Sequence, residues 1–151
     1  MEAYIQTLLG TPYVWWHSGT ILGDCKPFWT SNMPPPSCPE GANCAGFVNL
    51  VCRHLGIPIP GVAEGDPWAG GTWHWFRHSD VYPVPPGVAS YKPGTLLLRD
   101  YADAEKDQGH IGIVLEGGRL AHCIPGDGVI IERLGADVWW THASDYMAAR
   151  L

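Results

Sequence analysis

The spacing of apolar residues changes once along this 151-residue chain, and that change constrains the fold more than any other feature. Before about Lys92 the longest apolar pattern has the three-to-four residue period of a helix, and after it the pattern is that of strands. Helices followed by an antiparallel meander indicate an α+β fold rather than a parallel βαβ one. The predicted strands are Thr95–Arg99, Ile111–Leu115, Arg119–Ile124 and Val129–Arg133.

The main helix is predicted over Cys44–Leu55. Asn43 is a good N-cap residue, and Gly56 can end the helix in the left-handed conformation. Asn49 and Arg53 are expected on the side of this helix opposite its apolar face. The apolar face consists of Phe47, Val48, Val51 and Leu55.

Two shorter helices are predicted, one over residues 2–9 and one over Pro67–Arg77 with Asp66 as its cap. Between Tyr13 and the main helix, residues 14–42 form a long insert rich in proline, glycine and aromatic residues. An insert of this length is usually functional or disordered, and its aromatic residues favour an ordered flap.

Length and charge narrow the function classes. One domain, residues 1–151, is expected, and the net charge of −6 without a basic stripe argues against nucleic acid as a partner. No apolar run approaches the ~18 residues of a membrane span, and the first residues do not resemble a secretory signal. A cytoplasmic protein, or one delivered by other machinery, is therefore expected.

The chain has five cysteines, an odd number that leaves at least one thiol unpaired. Cys25 and Cys38 flank a proline-rich stretch, and a disulfide between them and two reduced thiols are equally compatible with the sequence. Cys52 is expected to be a buried small apolar residue on the main helix.

Cys44 and two histidines are the types of residue that a cysteine hydrolase uses for catalysis. Cys44 stands at the start of the main helix, where backbone N–H groups and the helix dipole favour a thiolate and are expected to lower its pKa from about 8.5. His110 and His122 lie in strand-patterned sequence downstream. A nucleophile, a base and a group that orients the base are the parts that such an enzyme needs.

The hairpin between the two histidines permits their contact. A two-residue turn at Gly117-Gly118 would put His110 and His122 on opposite faces of the sheet. A three-residue loop that also includes Glu116 puts them on one face as diagonal neighbours, roughly 7–8 Å apart at Cα. The second register is the one that a catalytic pair requires.

Five sequence blocks resemble the NlpC/P60 cysteine peptidases in order and spacing over nearly the whole chain. They are Thr11-Pro12-Tyr13-Val14, Asn43-Cys44-Ala45-Gly46-Phe47-Val48, Lys92-Pro93-Gly94-Thr95-Leu96, Gly109-His110-Ile111-Gly112-Ile113-Val114, and His122. The resemblance implies a papain-like α+β fold with the nucleophile helix packed on an antiparallel sheet.

The resemblance also implies an activity without a cofactor, the cleavage of cell-wall peptides, often at the γ-D-glutamyl–diamino acid bond. It makes Cys44 the nucleophile, His110 the base and His122 the orienting group, with the Tyr13 hydroxyl near the oxyanion. Asn43 and Ala45 stand where the family usually has the Asp and Ser that help to bind the substrate's free amino end. The sequence therefore does not predict how the free amino end of a substrate is recognised.

Three functions stay open at this point. The leading one is hydrolysis of muropeptide amides; the others are an amidase or acyltransferase with a different substrate, and a catalytically silent binding module. Trp15, Trp16 and Trp29 either line a substrate cleft or fill a small core. In the first case the insert narrows the cleft, which favours short muropeptides over intact cell wall.

One other pair of histidines has the spacing of metal ligands on a helix. His74 and His78 would share a face of a helix, but no third ligand is evident, and a polar helix face explains them better than a metal site.

Overall fold

The computed structural model describes residues 1–13, 41–65, 69–85, 90–100, 109–135 and 139–151. These residues include three α-helices, six strands and a C-terminal 3₁₀ helix over Ala148–Arg150. The helices are α1 (Glu2–Leu8), α2 (Cys44–Leu55) and α3 (Thr72–His78). The strands are β1 (Tyr82–Pro83), β2 (Leu96–Arg99), β3 (His110–Leu115), β4 (Arg119–Ile124), β5 (Gly128–Arg133) and β6 (His142–Ser144).

The strands form one sheet in the order β1-β6-β2-β3-β4-β5, and each pair of neighbours is antiparallel. One face packs on α2 and carries the main core, in which Ile111 and Ile113 of β3 join Phe47 and Val48 of the helix. The other face carries a smaller cluster of Leu97, Val114, Leu120, Trp140 and Ala143. The predicted α+β fold, with helix α2 packed on an antiparallel sheet, is confirmed. In the described ranges no helix has both the length and the apolar character needed to cross a bilayer.

Helix α2 has the predicted bounds because both of its ends are capped. The Asn43 side-chain oxygen accepts a hydrogen bond of 2.7 Å from the Gly46 N–H. At the other end Gly56 has a φ of 69°, and the Ile57 N–H donates to the Cys52 carbonyl at 2.8 Å. The N-cap fixes Cys44 as the first residue of the helix.

Asn49, predicted on the side of α2 opposite its apolar face, is buried there rather than exposed to solvent. Its side chain is fully buried, donates to the Gly70 carbonyl at 3.0 Å and accepts from the Trp75 indole N–H at 2.9 Å. The turn before α3 and α3 itself cover this side of α2, so a buried polar group is satisfied by both. Asn49 thereby fixes the position of α3 relative to α2.

Helix α3 begins later than the predicted Pro67. Gly70 has a left-handed φ of 77°, which a right-handed helix does not accommodate, and Gly71 is the N-cap. The predicted cap Asp66 and its neighbours 67–68 lie outside the described residues. Thr72 is therefore the first residue of α3.

The β3–β4 hairpin has the three-residue loop that the histidine contact requires. Leu115 pairs with Arg119 and Ile113 with Ala121, as predicted for that loop. Further along the strands, a Cβ atom on Gly112 would lie 3.2 Å from the His122 Cβ. The absent side chain of Gly112 thus makes room for the second histidine.

The chain segment before Tyr13 docks on the start of β5. The Gly10 N–H donates to the Val129 carbonyl at 3.0 Å, and the Val129 N–H donates to the Thr11 carbonyl at 2.9 Å. Tyr13 then forms an isolated parallel bridge with Ala42. This arrangement brings Tyr13 beside the N-terminus of α2.

We predict that Gly128→Ala destabilises the protein more than Gly117→Ala does. Both glycines have a left-handed φ, 73° and 69° respectively, which costs another residue about 1 kcal/mol. A Cβ at Gly128 would also collide with the Thr11 carbonyl, whereas one at Gly117 would meet nothing. Urea denaturation should therefore show an additional loss of about 1–3 kcal/mol at Gly128. Equal losses would contradict this packing.

Candidate active site

The Cys44 thiol lies where α2, α3 and β3 meet. Its Sγ is 3.8 Å from the Thr72 hydroxyl oxygen, and it is within hydrogen-bond reach of the backbone N–H groups of Ile111, Ala45 and Cys44 itself. The residue is 6% exposed, whereas Cys52 and Cys123 are fully buried. All three thiols are free.

The pKa of the Cys44 thiol is raised rather than lowered. Burial raises it, and the hydrogen bonds from Thr72 and the backbone N–H groups oppose the rise without cancelling it. The expectation of a lowered pKa is therefore wrong, because the helix N-terminus does not compensate for the loss of water around the sulfur. The resting thiol is protonated at neutral pH.

His110 and His122 are hydrogen-bonded to each other. His110 Nε2 lies 3.0 Å from His122 Nδ1, and both residues are buried. Both rings pack against the Trp140 ring, with centroid distances of 5.5 Å and 6.1 Å. Trp140 belongs to the cluster on the sheet face opposite α2. The prediction that the histidines share a face is confirmed, and Trp140 shields their bond.

The same burial keeps His110 uncharged. Desolvation, and then the proximity of His122, lower the pKa of His110 to about 3. At neutral pH the His110 ring is therefore a neutral imidazole rather than an imidazolium. A neutral imidazole has one bare nitrogen, so it retains the capacity to accept a proton.

Thr72 was not predicted as a site residue. Among the residues that the structure describes, it is the side chain that hydrogen-bonds the Cys44 thiol, and His110 is not. Thr72 also fills the space beside Gly109, where a Cβ atom would lie 2.6 Å from its Cγ2. In the sequence, Thr72 is marked only by its position at the start of α3. Because that helix was predicted to start at Pro67, the sequence did not single out Thr72.

Glu132 is a second residue that sequence reasoning missed. Its Oε1 lies 3.1 Å from His122 Nε2, although off the line that a well-aligned N–H bond would take. Burial lowers the pKa of His122, and the Glu132 carboxylate counteracts this shift. The two histidines, Glu132, Trp139 and Trp140 line a cavity of about 420 Å³.

The other predicted site residues that the structure describes, Tyr13, Asn43 and Ala45, differ in whether they have a polar group available for a substrate. Tyr13 is half-buried, and burial together with the nearby Cys44 and Cys123 thiols raises its pKa, so its hydroxyl stays protonated. Asn43 uses its side-chain oxygen to cap α2, and Ala45 is buried. Neither presents a carboxylate to a substrate amine.

Several predictions fall outside the described residues. They concern the insert 14–42, of which only 41–42 are described, together with Trp15, Trp16, Trp29 and the pair Cys25 and Cys38.

The two histidines of α3 lie on one side of the helix, as predicted. The ring centroids of His74 and His78 are 5.6 Å apart. Within the described part of the chain, no three His, Cys, Asp or Glu side chains are grouped so that they could hold a metal ion.

No family model matches the sequence, and no curated protein sequence does. Solved structures with the same fold are found, however. The NlpC/p60 domain of the peptidoglycan hydrolase SagA superposes with a TM-score of 0.54 at 21% identity, over 95% of this chain and 93% of that domain. The chain therefore has the NlpC/P60 fold.

Two further neighbours come from Mycobacterium tuberculosis. The peptidoglycan hydrolase RipB gives a TM-score of 0.59 at 16% identity, over 97% of this chain but only 62% of RipB. RipD, described as a non-catalytic NlpC/p60 domain protein adapted to peptidoglycan binding, gives 0.57 at 12% identity, over 95% of this chain and 92% of RipD. At such identities the likeness concerns the fold, and the resemblance seen in the sequence is confirmed at that level.

We predict that Cys44 is the most reactive of the three described thiols and that its alkylation accelerates as the pH rises above 7. Only the thiolate reacts, and the raised pKa makes it scarce at neutral pH. Cys52 and Cys123 should react more slowly still, because both are fully buried whereas Cys44 is 6% exposed. Burial also raises the pKa of each of these two thiols to about 12. Peptide mapping after limiting iodoacetamide at several pH values measures the order.

Two variants of Thr72 test its hydrogen bond to the sulfur. Thr72→Val removes the bond, which should raise the thiol pKa further and slow alkylation at pH 8 about fivefold, the equivalent of one hydrogen bond. Thr72→Ser keeps the hydroxyl and should react like the wild type. A rate that is already maximal at pH 6, or equal rates for the two variants, would contradict this account of the thiol.

Proposed function

We propose that this protein belongs to the NlpC/P60 family and is a cysteine hydrolase that cleaves amide bonds in peptidoglycan-type peptides. The observation that carries the proposal is the 3.0 Å contact between His110 Nε2 and His122 Nδ1. It engages the far nitrogen of His110 and leaves Nδ1 for the proton of a nucleophile. The next residue of β3, Ile111, provides a backbone N–H to the Cys44 thiol. The proposed nucleophile, Cys44, and the proposed base, His110, therefore both lie at the start of β3.

In the proposed reaction, His110 Nδ1 takes the thiol proton while the Cys44 sulfur attacks the substrate carbonyl carbon. The C–N bond then breaks, His110 returns the proton to the leaving amine, and the acyl group stays on sulfur as a thioester. Water attacks the thioester with His110 as base, the carboxylic acid leaves, and the thiol regains its proton. The cycle needs no cofactor.

The protonation states of the resting site favour a first step in which proton transfer and attack on the carbonyl occur together. Both the thiol and His110 are neutral, so proton transfer accompanies the attack rather than preceding it. For this step the thiol leaves Thr72 and approaches His110 at the start of β3, because the His110 ring packs on Trp140 of the other sheet face. Hydrogen bonds of catalytic groups commonly tighten only when the substrate is bound.

Tyr13 is proposed to stabilise the negative oxygen of the tetrahedral intermediate together with the Cys44 N–H. Its hydroxyl stays protonated because its pKa is raised, and a protonated phenol is a hydrogen-bond donor. The bridge between Tyr13 and Ala42 holds it near the start of α2.

The substrate class is proposed from two lines of support. SagA and RipB, which share the fold, are peptidoglycan hydrolases, and the sequence blocks around Cys44 and His110 resemble those of the family. The γ-D-glutamyl–diamino acid bond is the proposed scissile bond. Because Asn43 and Ala45 carry no charge, recognition of a free amino end by these two positions should be weak.

A binding module is the second candidate function, and one observation favours it. The Cys44 thiol is buried and bonded to Thr72 rather than to His110, and RipD shows that the fold exists in a peptidoglycan-binding protein without catalysis. The presence of Cys44, His110 and His122 in the order and spacing of the family's sequence blocks favours the hydrolase.

We predict that the wild type cleaves muropeptides and that activity depends on the proposed residues. A panel of muropeptides and ordinary peptides, read by mass spectrometry, should give cleavage products that prior alkylation abolishes. Cys44→Ala and His110→Ala should each lower kcat by about 10³-fold or more. His122→Gln should retain partial activity, because an amide can still accept a hydrogen bond from His110.

Cys52→Ala is the matched control, since it removes a buried thiol from the same helix away from His110. It should keep wild-type activity if it is folded. Products that still form in Cys44→Ala would refute the hydrolase mechanism. Binding of muropeptides without cleavage would instead identify a binding module, and transfer of the acyl group to an added amine would identify an acyltransferase.

A further inference from the structure

His122 lies between two polar groups that are held by different strands. On one side its Nδ1 is 3.0 Å from His110 Nε2 of β3. On the other its Nε2 is 3.1 Å from the Glu132 carboxylate of β5. Glu132 pairs with Leu120 and His122 pairs with Ile130, so Glu132 is a diagonal neighbour on the same face.

The buried Nε2 atom of His122 needs a partner. It has no well-aligned hydrogen bond within the described part of the chain, and the Glu132 oxygen is the polar atom at contact distance. Burying such a group without a partner is costly, so a small rotation of the half-exposed Glu132 side chain toward Nε2 is favourable. The carboxylate accepts hydrogen bonds and cannot donate them.

The tautomers of both histidines follow from this acceptor. A neutral His122 facing a carboxylate holds its proton on Nε2, which leaves Nδ1 as an acceptor. His110 must then donate from its own Nε2, which leaves Nδ1 of His110 without a proton. That bare nitrogen is the one the proposed reaction needs as a base.

We propose that Glu132 is a positioning residue that sets the tautomers of His122 and, through it, of His110. This inference rests on the proposed function for its catalytic meaning, but the tautomers themselves can be observed without any substrate. The cavity that His122 and Glu132 share is also lined by other described residues, among them His110 of β3, Arg133 of β5, and Trp139 and Trp140 near the C-terminus. None of these offers a carboxylate in place of Glu132.

The test compares Glu132→Gln with Glu116→Gln, a matched loss of one charge in the β3–β4 turn. Glu116 is exposed and away from the histidines. Long-range ¹H–¹⁵N correlation spectra at pH 7 report which imidazole nitrogen carries the proton. In the wild type and in Glu116→Gln, both His110 and His122 should be protonated on Nε2.

In Glu132→Gln the side-chain amide can donate to His122 Nε2, so a second tautomer of both histidines should appear. Glu132→Asp keeps an acceptor and should restore the wild-type pattern at least in part. On a cleaved substrate, kcat of Glu132→Gln should fall by about 10- to 100-fold with little change in KM, less than for a residue that contacts the base directly.

The outcomes separate this inference from the proposed function. Unchanged tautomers in Glu132→Gln overturn the positioning role even if the wild type hydrolyses muropeptides. Changed tautomers in a protein that cleaves nothing support the positioning role and reject the hydrolase. A fall in kcat with unchanged tautomers would show that Glu132 acts only as a charge at the cavity, which also overturns the proposal.

Discussion

The register of the β3–β4 hairpin is the constraint on which the site depends. Side chains alternate along a strand, so a slip of one residue would turn His122 to the face of the sheet away from His110 and break their contact. The loop of residues 116–118, with two glycines of positive φ, sets the pairing. Gly112 leaves room for the second imidazole, and Trp140 covers the pair. The two histidines are therefore in contact for three reasons: the loop has three residues, side chains alternate along the strands, and Gly112 has no side chain.

Burial gives the site its charge state. The same loss of water that raises the pKa of the Cys44 thiol lowers the pKa of His110, because each shift favours the uncharged form. The resting site therefore holds a protonated thiol and a neutral base rather than an ion pair. The polar groups that remain are hydrogen-bonded across elements, Thr72 to the thiol and Asn49 between α2 and α3. These contacts position the thiol at the end of β3 without activating it in advance.

The sequence was sufficient for those parts of the structure that have a strong local signal. The caps Asn43 and Gly56 give α2 its predicted bounds, and the glycine-rich loop gives the hairpin register. Strands β1 and β6, with two and three residues, are too short to show a period and were missed. Thr72 and Glu132 were missed because their roles arise from contacts between distant segments, which local patterns do not encode. The pKa of Cys44 was misjudged because helix-end electrostatics can be predicted from the sequence, whereas the burial around the sulfur cannot.

Cys44 is proposed to be a nucleophile whose proton is taken by the His110–His122 pair. Rapid-quench mass spectrometry of the intact protein with a muropeptide tests it directly, since a thioester adds the mass of the acyl fragment to the Cys44 peptide. We expect this adduct in the first turnover of the wild type, its removal by hydroxylamine, and its absence from His110→Ala. Cleavage without an adduct, undiminished in Cys44→Ala, would contradict it.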